Sequence, residues 1–267
     1  MSFHFQLYID GQFESGAATF GSVNPATGEV WAQMPEARND EVNRAVDAAS
    51  RALTDPAWAG ITASARGKLL YRLAELLEKA APRLAEIETN DTGKIIRETS
   101  SQIAYVAEYY RYYAGIADKL EGSHIPVDKP DMQVWLDRQP VGVVAAIVPW
   151  NSQLFLSAVK LGPALAAGCT VVLKASEEAP GPLLEFARVV HEAGFLRVSS
   201  TWSRALARNA APCSAAIRRW TRWPSRAARK RRSISSRTRQ ITSPRFRWSW
   251  AANRRSSYSL TPTFKAP

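Results

Sequence analysis

Two short segments carry side chains that could do chemistry on a bound ligand: P-W-N at 149–151 and K-A-S-E at 174–177. The side-chain amide of Asn151 is a neutral donor of the kind that stabilises a developing oxyanion. The same residue type caps helices, and spacing alone favours that role. Lys174 and Glu177 flank Ser176. An acid just past a buried strand can accept hydrogen bonds from ribose hydroxyls, and it can equally begin a solvated helix. Neither G-x-G-x-x-G nor a Walker sequence is present, so these residues point to a nucleotide site without specifying it. Two cysteines, Cys169 and Cys213, are too few for a disulfide framework or a zinc cluster, and no metal site is expected. Cys169 sits in A-A-G-C-T-V-V ahead of a buried strand and reads as a packed, inert thiol.

The elements that must position these segments follow from hydrophobic spacing. Val143 to Val148 is a continuous apolar run, the pattern of a strand buried on both faces. Ser157 to Ala167 is helix-like, and Thr170 to Leu173 is a second buried strand. Strand, helix and strand make a βαβ unit of a parallel sheet, whose ligands sit where loops leave the carboxyl ends of the strands. P-W-N and K-A-S-E are those loops.

Upstream, F-Q-L-Y-I-D-G-Q-F predicts two short strands turning at Asp10-Gly11. A helix from Asn39, capped by Asn39 or Asp40, places Val42, Ala45, Val46 and Ala49 on one face. A second helix, about 64–89, carries Leu69, Leu70, Leu73, Leu76 and Leu77, with Pro82 expected to bend or break it. A third aligns Ile103, Ala107, Tyr110 and Ala114, so its tyrosines read as core and rim packing. The polar stretch I-P-V-D-K-P-D-M-Q-V-W-L-D-R-Q-P-V-G suggests an antiparallel hairpin.

From Phe5 to about Phe195 the chain closely resembles the N-terminal part of the aldehyde dehydrogenase family. The resemblance is carried, in order, by N-P-A-T-G-E-V, D-T-G-K beginning at Asp91, Y-Y-R-Y-Y-A-G, P-V-G-V-V-A-A-I-V-P-W-N and K-L-G-P-A-L-A-A-G-C-T-V-V-L-K-A-S-E. It implies an α/β fold, a Rossmann-type cofactor domain with helices ahead of its sheet, truncated here after the first βαβ unit. It also implies oxidation of an aldehyde to a carboxylate with hydride transfer to NAD, in a homo-oligomer. In the family the P-W-N asparagine donates to the thiohemiacetal oxyanion, a role that falls on Asn151. The backbone of Ile147, Val148, Pro149 and Trp150 would line the cofactor cleft, and Lys174, Ser176 and Glu177 would cradle the adenosine ribose. Ala175 replaces the usual proline. The acid at Glu177 would repel a 2′-phosphate, which favours NAD over NADP. Cys169 is not the family's nucleophile. That cysteine and the water-activating glutamate lie farther along family members than residue 195, and this chain lacks both in the expected contexts, so it is expected to be inactive.

The net charge of +11 averages two unlike parts. Residues 1–195 hold 17 Lys+Arg against 24 Asp+Glu, while residues 196–267 hold 18 Lys+Arg, no acid, no glycine and five of the nine tryptophans. The run R-K-R-R-S-I-S-S-R-T-R-Q from Arg229 invites a nucleic-acid-binding reading, through phosphate contacts and base stacking. A different origin fits better. Family members continue past E-A-G-F with phrases close to F-N-V-V-T-G, A-F-T-G-G and E-L-G-G-K-S-P. Tryptophan has one codon, so joining its last base to the next codon's first two fixes a residue. Trp220–Thr221 forces Asp, Trp223–Pro224 forces Ala and Trp250–Ala251 forces Gly. With these fixed, S-S-T-W-S-R-A permits F-N-V-V-T-G, R-W-T-R-W-P-S-R-A-A permits V-D-A-V-A-F-T-G-G, and R-W-S-W-A-A-N-R-R permits L-E-L-G-G-K-S-P. Two regions are therefore expected: 1–195, the start of a cofactor domain, and 196–267, an out-of-phase translation without a native fold. Nonspecific nucleic-acid binding by the basic tail is the alternative.

No run of about 18 uncharged apolar residues exists to span a membrane. The N-terminus has no basic stretch followed by an apolar one, so no secretory signal is expected. A cytoplasmic location is the expectation.

Overall fold

The computed structural model describes residues 3–195. Cys213, the basic run and the tryptophan-rich segment lie outside the described residues, as do the expectations made of them.

Strands β2 (Leu7–Ile9) and β3 (Gln12–Glu14) pair antiparallel, in register Leu7–Glu14 and Ile9–Gln12. Asp10 and Gly11 join them with φ of 51° and 81°. Two successive left-handed residues are what a two-residue hairpin turn of this twist demands. A small sheet beside it orders β1 (Phe3–His4), β5 (Val30–Glu36) and β4 (Ala18–Val23), with β1 parallel and β4 antiparallel to β5.

Helix α1 (Asn39–Thr54) buries Val42, Ala45, Val46 and Ala49, the face expected from spacing. Its cap differs from expectation. The helix begins at Asn39 itself, behind Arg38, and Glu41 Oε2 accepts from the Arg38 N–H at 2.9 Å. Asp40 and Glu41 fall inside the first turn, where acids favour the positive end of the helix. A short helix α2 (Pro56–Ala59) follows, capped by Asp55.

Helix α3 (Ala63–Thr92) is capped by Thr62, whose hydroxyl accepts from Ala65 N, and it ends on Gly93 at φ 76°. Pro82 does not break it. The carbonyl that Pro82 leaves without its helical donor is that of Glu78, on the exposed face where water can serve it. Meanwhile Leu73, Leu77 and Leu84 are fully buried on the opposite face. Each such burial contributes about 1.5–3 kcal/mol, enough to offset the proline. Against α3 lies α4 (Ile96–Ile116), whose Ile103, Ala107, Tyr110 and Ala114 are buried while Tyr105 and Tyr112 face outward. Strands β6 (Ser123–Ile125) and β7 (Val134–Leu136) form the expected antiparallel hairpin.

The last third is α/β. Strand β8 (Val143–Ile147), helix α5 (Gln153–Ala166), strand β9 (Thr170–Lys174) and helix α6 (Gly181–Glu192) follow in order, and β8 runs parallel to β9 with Val143 opposite Thr170 and Ile147 opposite Lys174. On β9, Val171 and Leu173 enter the main core, while Val172 packs the other way against Val46 and Ala49 of α1. Thr170 Oγ1 ties the same face to Ala49 O at 2.9 Å. The expectation of a first strand buried on both faces is corrected: Val143, Val144 and Ala145 are only half-buried and Ile147 is 53% exposed. Among the described residues β8 has a neighbour strand on one edge alone. Its apolar run is more hydrophobic than its surroundings there require.

Asp91, near the end of α3, knots these parts together. Its carboxylate is 2% exposed and accepts from Ser22 Oγ of β4 (2.5 Å), Trp31 Nε1 of β5 (3.1 Å) and the Gly181 N–H that opens α6 (2.7 Å).

Candidate functional site

The parallel register puts the two chemistry-bearing loops side by side. Val148 N–H extends the ladder by one bond to Lys174 O at 3.0 Å, after which P-W-N and A-S-E leave the same sheet edge. Val148 is buried, whereas Ile147 and Trp150 are each 53% exposed and Pro149 and Asn151 are also exposed. An open apolar lip therefore borders the carboxyl ends of the strands.

Asn151 does not cap α5. Ser152 occupies the cap position, with φ −167° and ψ 64°, and no side chain bonds the first turn there. The Asn151 side chain sits exposed at the amino end of α5, beside the positive end of the helix. On the neighbouring loop, Lys174 Nζ and Glu177 Oε2 pair at 2.9 Å, both mostly covered. Glu177 precedes α6 by four positions, so it is a loop acid, not a solvated helix start. Ser176 is buried, and its hydroxyl accepts from Glu178 N at 3.3 Å in a tight turn.

Beneath Asn151 lies a polar cluster that the spacing argument did not find. Gly93 turns the chain back after α3 and delivers Lys94 toward the helix it has just left. Lys94 Nζ then donates to Ser152 Oγ (2.8 Å), Gln102 Oε1 (3.2 Å) and Glu88 Oε1 (3.4 Å). Glu88 is fully buried, and burial pushes its carboxyl up from the usual range against the pull of Lys94. Its Oε2 and both polar side-chain atoms of Gln153, the first residue of α5, have no partner among the described residues. D-T-G-K was visible as a phrase in the sequence. That its lysine folds back under P-W-N depends on the left-handed Gly93, which linear spacing does not reveal.

Cys169 is fully buried ahead of β9, with burial raising its thiol pKa. A protonated, enclosed sulfur has neither the thiolate nor the access that nucleophilic attack requires. Among the described residues no group of three or more His, Cys, Asp or Glu could hold a metal, and no helix is long and apolar enough to cross a membrane.

A βαβ unit with an apolar lip, an exposed amide and a loop acid at its carboxyl edge has the form in which a Rossmann-type sheet begins. The aldehyde dehydrogenase family matches residues 13–197, and the chain belongs to that family. It is 80% identical over 191 residues to the (Z)-2-((N-methylformamido)methylene)-5-hydroxybutyrolactone dehydrogenase of Acinetobacter baylyi, covering 72% of this chain and 39% of that one. It is 39% identical over 194 residues to the glutarate-semialdehyde dehydrogenase of Pseudomonas putida, covering 72% of this chain and 40% of the relative. An NAD+ complex of a Bacillus cereus aldehyde dehydrogenase superposes with a TM-score of 0.75 at 38% identity, over 80% of this chain and 43% of that one. The chain thus spans about two-fifths of the length of these relatives.

Proposed function

We propose that residues 1–195 are the opening of the cofactor domain of an NAD-dependent aldehyde dehydrogenase, and that residues from about Leu196 onward are its gene read out of phase. The observation that carries the catalytic part is exposed Asn151 in the loop after β8, with the Lys174–Glu177 pair on the loop that leaves the adjacent parallel strand. In this reading Asn151 donates to the oxygen of the substrate carbonyl as it gains charge on attack by a thiolate. The residues fit NAD. Ile147 and Trp150 offer an apolar lip at the strand ends, and Glu177 offers a carboxylate that accepts from ribose hydroxyls and repels a 2′-phosphate, with Lys174 holding it in place. NAD, when bound, supplies the hydride acceptor.

The out-of-phase reading is supported by three family phrases recovered in order, by the three residues that tryptophan codons force, and by the change of charge. The family match stops at residue 197 while the chain continues to 267. The nucleophilic cysteine and the water-activating glutamate would then be encoded downstream in the other frame, leaving the 267-residue chain inactive. The likeness to the A. baylyi enzyme suggests the substrate class. A 5-hydroxybutyrolactone is the ring-closed form of a 4-oxo acid, so its oxidation is that of a masked aldehyde. The intact enzyme is proposed to be a cytoplasmic homo-oligomer. The nucleic-acid alternative rests wholly on residues outside the described part and gains no support from the rest.

Aldehyde-dependent NADH formation tests this reading. The 267-residue chain, purified away from host dehydrogenases, is expected to give none with NAD and a 4-oxo acid. The product of the gene restored to one frame is expected to turn over. Turnover by the 267-residue chain itself would overturn the reading.

A further inference from the structure

We infer that Ser152 and Lys94 are positioning residues that fix the backbone of Asn151, the point from which its side-chain amide projects; this rests on the oxyanion role proposed for Asn151. A serine hydroxyl ordinarily rotates to suit its surroundings and can donate in several directions. Here it cannot. Lys94 is donor-only, and its ammonium sits 2.8 Å from Ser152 Oγ, with Gln102 Nε2 a second donor at 3.4 Å. The Ser152 oxygen must therefore accept on that side, which leaves its single O–H to donate to Asn151 O at 2.5 Å.

The lysine is itself fixed. Its three N–H donors meet three acceptors, Glu88 Oε1, Gln102 Oε1 and Ser152 Oγ, and Glu88 is wholly buried. Each link thus constrains the next, from the end of α3, across α4, to the loop ahead of α5. A mobile loop would carry its side chains with it, and an oxyanion donor works only when its backbone anchor is already in place. Asn151 makes no cap bond to α5, and the Ser152 hydroxyl on its carbonyl constrains its backbone.

The sequence permits a direct test on the full 267-residue chain, independent of turnover. Trp150–Asn151 is the only Trp–Asn pair in the chain. Labelling tryptophan with 13C at the carbonyl and asparagine with 15N therefore isolates the backbone N–H of Asn151 as one correlated NMR signal, whose relaxation gives its order parameter. In the parent a rigid value of about 0.85 is expected, falling below about 0.6 in Ser152→Ala. Ser152→Thr, which keeps the hydroxyl, is expected to retain the parent value, and neither substitution should shift the thermal unfolding midpoint appreciably. An unchanged Asn151 signal in Ser152→Ala would overturn the positioning role. So would loss of order accompanied by a lowered midpoint, which would mark Ser152 as a general structural contact. Either result leaves the oxyanion role of Asn151 to be judged separately by kinetics.

Discussion

In the enzyme translated from the frame-restored gene, Asn151→Ala is expected to lower kcat by about 10²–10³, the cost of removing one aimed donor to an oxyanion. The effect should fall on kcat with KM changed little. The ground-state carbonyl oxygen carries little charge, and the amide matters only as that charge develops. Affinity for NAD, measured by fluorescence titration without substrate, should stay the same, because Lys174 and Glu177, the groups proposed to face the ribose, lie on the neighbouring loop. Asn151 is exposed and caps no helix, so its truncation should leave the fold intact. A loss of stability matching the loss of rate would instead make Asn151 a structural residue.

A second large effect is expected from Asp91. Burial pushes its pKa up to about 6, against the opposing hydrogen bonds from Ser22, Gly181 N–H and Trp31. An unfolded chain releases this proton near pH 3.9. Between these two values the folded state holds the proton more tightly. The stability contributed by Asp91 is therefore complete below about pH 3.9 and is lost as pH rises through about 6. At about 1.36 kcal/mol per pH unit, the full difference is about 3 kcal/mol. Urea unfolding of the 267-residue chain at pH 4 and pH 7 should show this change, and Asp91→Asn, which cannot ionise, should lack that part of it. Equal pH dependence in parent and variant would show that Asp91 ionises normally in the fold.

The fold was legible where local chemistry and burial agree. Asp10-Gly11 names its own turn, α1 shows its buried face in its spacing, and Val143 to Leu173 announces a βαβ unit. Three features were not legible, each for a stated reason. Pro82 signals a break by itself, yet it lies on a solvent-facing stripe with leucines buried behind it. The apolar run of β8 implies burial on two faces, but the described residues give it a single neighbour strand. The lysine under P-W-N comes from a segment 57 positions earlier, through a left-handed glycine and a hydrogen bond to Ser152. Spacing found Asn151, Lys174 and Glu177 as candidates, and only tertiary structure shows that Glu177 precedes its helix and that Asn151 caps none.

The central claim is that one gene changes phase near codon 196. Sequencing the DNA on both strands across codons 190–260 and beyond tests it most directly. The account predicts that the shifted frame reads close to F-N-V-V-T-G, A-F-T-G-G and E-L-G-G-K-S-P, then continues open to a cysteine and a glutamate in the family's contexts. A shifted frame interrupted by stop codons, or one spelling none of these phrases, would contradict it and would make the basic tail a sequence to be explained in its own right.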